Sequence, residues 1–448
     1  MPKTETLAET YPAPRVAWTV TAILTFGYLV SFIDRQILNL LVTPIKADLG
    51  VSDTQMGLLI GLAFSVFYTG MGLVLGRLAD TMNRVKLISI GVAAWSAMTA
   101  ASGFAQNFWQ LFLARIGVGV GEAALSPAAM SLIADHFPAP LRAFPMSIYY
   151  LGAIVGSGLA LMAGGPLIDA MGRLDFSAWP IVGGLRPWQL TFIAAALPGI
   201  LVVMLLAMVK EPPRQGVARG AAAEPLAKTF AFIAANARTF ACHNIGFAVF
   251  TAWAYGSSAW IPTFFLRTFD WSMSQVGLVY GPVSLVCGVS GIVFGGWLAT
   301  RLTQSRADGG YTLLIWSAAA TAIPGVLAPL APTATLAVIG LSVLGFAAAI
   351  PTGIALAVIQ QVTPNRFRGQ VAALYLLLSN LIGLTLGPAL VGLFTDRVFG
   401  AEAEVGKSMA LLALVALPTG AAIIWAGRKA YRTSLAASSW APSGTATS

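Results

Sequence analysis

Charge is what this chain has least of: Lys, Arg, Asp and Glu together make up 10% of its 448 residues, against roughly a quarter in ordinary soluble domains. That scarcity excludes a soluble globular enzyme. Cysteine is nearly absent too, and Cys242 and Cys287 lie in apolar stretches without the Cys/His spacing of a metal site or a disulfide framework. No metal and no cofactor are expected. The first fifteen residues lack the basic-then-apolar order of a cleaved signal peptide, so membrane insertion is expected to use the first apolar helix. A nucleotide-driven pump is not indicated either. Gly400 to Ser408 ends in Gly-Lys-Ser, but five residues separate its glycines where a P-loop needs four.

What is abundant is apolar: 57% of the residues are hydrophobic, and the 46 Gly and 25 Pro are scattered without a period. Together these describe a polytopic membrane protein, neither disordered nor collagen-like. The net charge of +9 would suggest nucleic acid in a soluble protein. Here the Lys/Arg bias of cytoplasmic loops is the simpler cause, and no nucleic-acid partner is expected.

Apolar runs bounded by charge, Pro or Gly predict an all-α membrane protein of twelve helices, near 16–41, 57–79, 87–105, 108–134, 143–168, 188–209, 240–266, 276–299, 311–330, 334–362, 369–394 and 407–427. The one long polar connection, 210–238, falls close to mid-chain. It implies a cytoplasmic tail (1–15), an N-terminal six-helix bundle (16–209), a cytoplasmic linker (210–238), a C-terminal six-helix bundle (239–428) and a second cytoplasmic tail (429–448). With the N-terminus inside, the outer loops hold only Lys46, Arg173, Arg186, Arg267, Arg397 and Lys407, whereas the inner segments hold most of the 26 Lys and Arg. Both termini are therefore expected in the cytoplasm.

The halves resemble each other. Ser52-x-x-Gln55-x-Gly57-Leu58-x-x-Gly61 recurs as Ser272-x-x-Gln275-x-Gly277-Leu278-x-x-Gly281, an offset of 220. Ser at an N-cap with Gln three residues on is a capping box, so the spacing has a local cause at each helix start. The offset returns in Gly76-x-Leu78-Ala79 against Gly296-x-Leu298-Ala299. A parallel repeat of six helices accounts for both.

The loop after the second helix reads Gly76-Arg77-Leu78-Ala79-Asp80-Thr81-Met82-Asn83-Arg84-Val85-Lys86. It resembles the signature loop of the major facilitator superfamily, with Thr81 and Asn83 in place of a usual Arg and Gly. In that family Gly76, Asp80 and Arg84 would form a conformational latch. The corresponding loop of the second half has Thr300 at the Asp position, so the latch is expected on one side. A longer resemblance, to the Spinster branch of the superfamily, is carried by Phe32-Ile33-Asp34-Arg35-Gln36-Ile37, by Pro44 to Gln55, and by Ala114-Arg115-Ile116-Gly117-Val118-Gly119-Val120-Gly121-Glu122-Ala123. Ser126-Pro127 and Asp135-His136-Phe137-Pro138 extend it. The resemblance implies the twelve-helix major facilitator fold and a proton-linked carrier of sphingolipid- or lysophospholipid-like molecules. Related branches carry organic anions.

Read on their own chemistry, the ionisable residues inside apolar spans point the same way, because each is costly in hydrocarbon and usually faces a cavity or a partner. Four stand out: Asp34 and Arg35 in the first helix, Arg115 and Glu122 in the fourth. Arg115 and Glu122 are seven apart on one helix face, separated by about 10 Å of rise. An Asp34–Arg115 pair would close one layer above the deeper Glu122. A carboxyl in an apolar cavity is expensive to keep charged, so Glu122 and Asp34 are candidate proton carriers, with Arg35 or Arg115 as the competing cation or the clamp for a substrate anion. The competing reading is permanent ion pairs that only fix helix packing. Their positions in the second half are apolar or aromatic, which argues against a purely architectural pair.

Trp253, Tyr255, Tyr375 and Asn380, with Tyr149, are candidate cavity-wall residues, although buried aromatics more often serve packing. His136 and His243 read first as hydrogen-bonding residues at helix ends. The glycines of the fifth helix, Gly152, Gly156, Gly164 and Gly165 with Pro166, read as close-packing and hinge positions. The function expected is a proton-coupled secondary transporter of an amphipathic lipid-like substrate, a monomer in a bacterial inner membrane whose partners are its substrate, protons and the bilayer. A symporter of a small aromatic or sugar acid, and a non-transporting lipid sensor, are the alternatives.

Overall fold

The computed structural model describes residues 11–176, 178–214 and 225–438. The expected tail and linker segments at 1–10, 215–224 and 439–448 lie outside the described residues. All regular structure among the described residues is helical. Eleven helices are long and apolar enough to cross a membrane: α1 (Pro14–Leu40), α2 (Asp53–Thr81), α3 (Arg84–Ser102), α4 (Phe108–His136), α5 (Ala143–Arg173), α6 (Pro187–Ala207), α8 (Met273–Ser305), α9 (Gly309–Leu330), α10 (Ala334–Gln361), α11 (Asn365–Phe399) and α12 (Glu402–Ala436). Between α6 and α8, α7 (Ala237–Phe269) is 33 residues long. It carries Arg238, His243, Asn244 and Arg267, which lower its hydropathy. Twelve long helices result, most reaching one to nine residues beyond the ends that hydropathy alone marks.

Those extensions have local causes. At the start of α2, Ser52 Oγ accepts from the Gln55 amide at 3.2 Å while Gln55 Oε1 accepts from the Ser52 amide at 2.9 Å. The start of α8 repeats this box with Ser272 and Gln275, at 3.2 and 2.8 Å. Each box satisfies two otherwise orphaned backbone donors. Asn83 and Asn107 cap α3 and α4 through the amides of Lys86 and Gln110. Within α4 the helix is interrupted at Ala123 and Ala124, because Pro127 has no N–H to offer the carbonyl four residues back. The interruption follows directly on Glu122. Among the described residues, two shorter α-helices lie outside the spans: Val42–Leu49, ended by Gly50 in the left-handed region (φ 63°), and the apolar Leu226–Ala235 within the mid-chain connection.

Contacts divide the chain into two compact units. The first comprises Met1–Ile37, Val66–Ala160 and Ala170–Ala222. In it α3 packs on α4 and α6, and Gly91 and Gly121 let α3 and α4 approach so closely that a Cβ on either would meet the other's carbonyl oxygen. The second comprises Leu38–Ser65, Leu161–Asp169 and Ala223–Ser448. There α7 packs on α11 and α12, and α8 on α10. Two matching contacts are among those that join the segments 38–65 and 161–169 to this unit. A Cβ on Gly57 would fall on the Pro388 carbonyl of α11, and one on Gly277 would fall on the Leu161 carbonyl of α5. The repeated Gly of the 220-residue motif is thus a contact point in both copies.

Candidate functional site

Helices α1 to α4 bring four intramembrane charges together inside the first unit. Arg35 donates from Nε to Glu122 Oε2 at 2.7 Å, and its Nη2 lies 2.6 Å from the same oxygen. Both contacts fall on one carboxylate oxygen. The other, Glu122 Oε1, is buried and accepts no hydrogen bond among the described residues. The guanidinium of Arg35 sits between two rings, 4.7 Å from the centroid of Phe32 and 4.6 Å from that of Tyr68. Cation–π attraction of this kind strengthens away from water. Arg35 nevertheless keeps a fifth of its side-chain surface exposed, while Glu122 keeps 1%.

The second pair is looser. Asp34 Oδ2 accepts a hydrogen bond from Thr99 of α3. Its Oδ1 lies 4.0 Å from Arg115 Nη1, and both side chains are 2% exposed. Two cations and two carboxylates therefore balance in a buried group, which is the condition for keeping charges in an apolar span. Adjacent residues on a helix diverge by about 100°, so Asp34 and Arg35 reach different partners although neighbours in sequence. The sequence offered no signal for Thr99 or Tyr68, since neither carries charge.

An aromatic row continues from Arg35. Phe32 meets Tyr28 edge-on at 5.1 Å, and Tyr28 stacks on Tyr149 at 4.5 Å. Tyr149 is fully buried and shares a 3.0 Å hydrogen bond with Ser126. Tyr150, half exposed, closes the row. In the second unit Trp253 and Tyr375 are buried, the latter against His243 and Phe247. Tyr255 is exposed, and its hydroxyl reaches Asn380 Oδ1 at 3.4 Å. Both ring nitrogens of His243 are engaged, with Asn244 Oδ1 and the Ala355 carbonyl. His136 Nδ1 lies 2.7 Å from the Leu132 carbonyl.

At the loop between α2 and α3, Gly76 is half-buried, Asp80 is exposed and Arg84 is wholly buried. Arg84 bonds Asp135, Ser131 at 2.8 Å and Glu211 at 2.7 Å. Glu211 also accepts from the Val85 amide at the start of α3, and Arg214 donates to the Ala79 and Met82 carbonyls at the end of α2. An anion at a helix N-terminus and a cation at a C-terminus both follow the helix dipole. The first residues after α6 thus clasp this loop.

A further charge group, missed from sequence, lies in the second unit. Asp53 is fully buried and held bidentately by Arg267, at 2.7 and 2.9 Å, with Lys46 at 2.9 Å. Glu402 joins Lys46 at 2.9 Å and Arg267 at 3.4 Å. Beside it, Asp396 of α11 accepts from the Thr54 amide at 2.7 Å, the Thr54 hydroxyl at 2.6 Å and the Asp53 amide at 3.2 Å.

Comparison with known proteins places this arrangement. The Major Facilitator Superfamily profile matches residues 24–388. Human protein spinster homolog 1 is 32% identical over 408 residues, covering 85% of this chain and 73% of that protein. The chain belongs to the Spinster branch of the Major Facilitator Superfamily. An MFS-type efflux pump of Mycolicibacterium smegmatis is 26% identical over 425 residues, 94% of each chain. A crystal structure of a bacterial homologue of the human lysosomal transporter Spinster, inward-facing and unoccupied, superposes with a TM-score of 0.81. It shares 26% identity, over 96% of this chain and all of that one. A D-xylose–proton symporter shares the fold alone, at 16% identity and a TM-score of 0.66 over 91% of this chain and 97% of that one. Fold and family are those of a multi-pass membrane transporter.

Proposed function

We propose that this Spinster-like transporter moves an amphipathic, lipid-like molecule, such as a lysophospholipid or sphingoid derivative, coupled to protons. The observation that carries the reading is the one-sided grip of Arg35 on Glu122. A carboxylate with one oxygen paired and the other buried without a hydrogen bond is poised to take a proton, because no donor supports the charge on the bare oxygen. Protonated Glu122 no longer neutralises Arg35. The four charges then sum to plus one, and the partly exposed guanidinium becomes the group that an anionic headgroup would bind. When the proton leaves, the carboxylate reclaims Arg35 and the headgroup loses its partner. Asp34, held by Thr99 and loosely by Arg115, is the second proton site.

The aromatic row from Phe32 through Tyr28 to the half-exposed Tyr150 supports the lipid-like class, since an apolar tail beside a cationic headgroup site needs such a surface. Tyr255 and Asn380 in the second unit are the wall residues with a polar tip to offer. We further propose that the chain is a monomer in a bacterial inner membrane, works by alternating access of its two six-helix bundles, and has both termini in the cytoplasm. The Gly76–Asp80–Arg84 loop would act as its cytoplasmic latch. The Mycolicibacterium relative is named an efflux pump, so outward movement is the direction to test first.

Reconstitution with a pH dye trapped inside the vesicles tests the reading. Lysophospholipid should evoke proton flux in wild type and none in Glu122→Gln. Flux with soluble aromatic or sugar acids alone would move the protein to the organic-anion class. Absence of both flux and counterflow would leave a lipid sensor, and unchanged flux in Glu122→Gln would overturn the proton assignment.

A further inference from the structure

The second unit holds a cluster of arginines around one carboxylate. Asp308, in the short turn between α8 and α9, accepts from Arg432 Nε at 2.7 Å and Arg428 Nε at 3.1 Å, and Arg306 Nη2 stands 3.4 Å away. Arg428 also donates to Thr312 Oγ1 at 3.2 Å. Three guanidinium groups thus share one carboxylate, an excess of two positive charges. The carboxylate is buried, at 7% exposed, but Arg306 and Arg432 are each about half exposed, at 48% and 52%. Lys429 is exposed on the same helix end. The hydrogen bonds of Asp308 hold the cations side by side against their mutual repulsion, and their outward N–H groups remain to be used.

Directly beside this cluster runs a groove of about 220 Å³ between α9 and α12. It is lined by Ile315, Trp316 and Ala319 of α9, by Ala421, Ala422 and Trp425 of α12, and by Arg428 at one end. Ala421, Trp425, Arg428 and Arg432 recur at helical spacing, so one face of α12 leads from apolar groove to guanidinium cluster. From Ala421 to Arg428 the helix rises about 10 Å. Trp316 and Trp425 are 67% and 64% exposed at the groove's edges. Small residues on the floor, indoles on the walls and a cationic group at one end make a shape with one polar end.

We propose that this groove is a binding site for an anionic diacyl phospholipid of the surrounding membrane, its phosphate on Arg306, Arg428 and Arg432 and one acyl chain between Trp316 and Trp425. Charge complementarity selects the occupant. A zwitterionic lipid brings no net charge to an excess of two cations, whereas basic pockets between transmembrane helices favour anionic headgroups. None of its residues belongs to the group assigned to transport, and its ligand is not the cargo.

Native mass spectrometry of the whole protein in detergent, titrated with phosphatidylglycerol or phosphatidylcholine, tests it. Wild type should retain phosphatidylglycerol at least about fivefold better than phosphatidylcholine, the effect of roughly one basic contact. Arg432→Gln should remove about that factor, since Arg428 and Arg306 still hold Asp308. Ala422→Trp, at an exposed position, should fill the groove and weaken retention without touching the charges. Arg301→Gln, a nearby arginine that stacks on Trp297 instead, should leave retention unchanged. Thermal melting of each variant at the wild-type temperature certifies the fold. Equal retention of the two lipids, equal loss in Arg301→Gln, or full competition by inorganic phosphate at matched concentration would each overturn the proposal.

Discussion

Two groups of four charges, each with two cations and two carboxylates, lie in this protein and are built to opposite ends. In the first unit, Asp34, Arg35, Arg115 and Glu122 are joined with slack: both Arg35 contacts fall on one oxygen of Glu122, and Asp34 stands 4.0 Å from Arg115. In the second, made of Lys46, Asp53, Arg267 and Glu402, both oxygens of the central Asp53 are held, one of them twice. A carboxylate held in this way gains little from a proton, because both its oxygens already have cationic donors. A slack one gains more. The comparison separates a group that exchanges partners from one that fastens helix ends, although their charges are the same in number and sign.

The largest expected effect on stability therefore belongs to the tightly held Asp53. Asp53→Ala leaves Arg267 and Lys46 short of their shared buried carboxylate and should cost about 3–5 kcal/mol, read as a lower melting temperature of the purified protein. Glu122→Gln keeps an oxygen for Arg35 but leaves the group one positive charge in excess, so it should cost about 1–3 kcal/mol, less than Asp53→Ala, yet abolish proton flux. An equal melting loss in the two variants would erase the distinction and return the first group to helix packing.

The same contrast explains what could be read from the sequence. Asp34, Arg35, Arg115 and Glu122 interrupt long apolar runs, so their cost in hydrocarbon announces them. Asp53, Arg267 and Asp396 sit at helix ends, where charge is ordinary, and only the folded chain brings residues 214 and 343 positions apart together. The capping boxes at Ser52 and Ser272 were visible because capping is local. One distant signal was present but unread: Gly165-Pro166 recurs as Gly387-Pro388 at an offset of 222. A Cβ on Gly165 would strike the Met273 carbonyl at the start of α8, and one on Gly392, a turn beyond Pro388, would strike the Asp53 carbonyl at the start of α2. The helix between Leu226 and Ala235 was hidden in a segment whose flanking charges read as a linker.

A smaller effect sharpens the comparison within the first group. Arg35→Lys keeps the charge but loses the planar contact with Phe32 and Tyr68 and one of the two bonds to Glu122. Half-saturation for lysophospholipid should rise about tenfold with the melting temperature nearly unchanged. Gly57→Ala and Gly277→Ala probe the fastened ends by size instead of charge. Each adds a methyl against a backbone carbonyl, and each should cost about 1–3 kcal/mol by overpacking, measured in urea or by melting. Similar losses in the two would show that the repeated glycines serve matching contacts.

The smallest expected effect concerns Asp308, the one carboxylate of these clusters that lies outside the spans. Burial alone would lift its pKa, but hydrogen bonds from Arg432 and Arg428, with the charge of Arg306 added, outweigh burial and hold it below the ordinary aspartate value of 3.8. A group whose folded pKa is depressed stabilises the fold above its unfolded value, and that contribution is lost as pH falls through the folded pKa. Two of its arginine partners are about half exposed, so solvent screening keeps the contribution to about 1 kcal/mol or less. Asp308→Asn should therefore melt slightly below wild type at neutral pH, and the gap should close only below the ordinary aspartate value. A gap that instead closed between pH 7 and 5 would mean that a different group titrates, and that the three arginines are not held by this carboxylate.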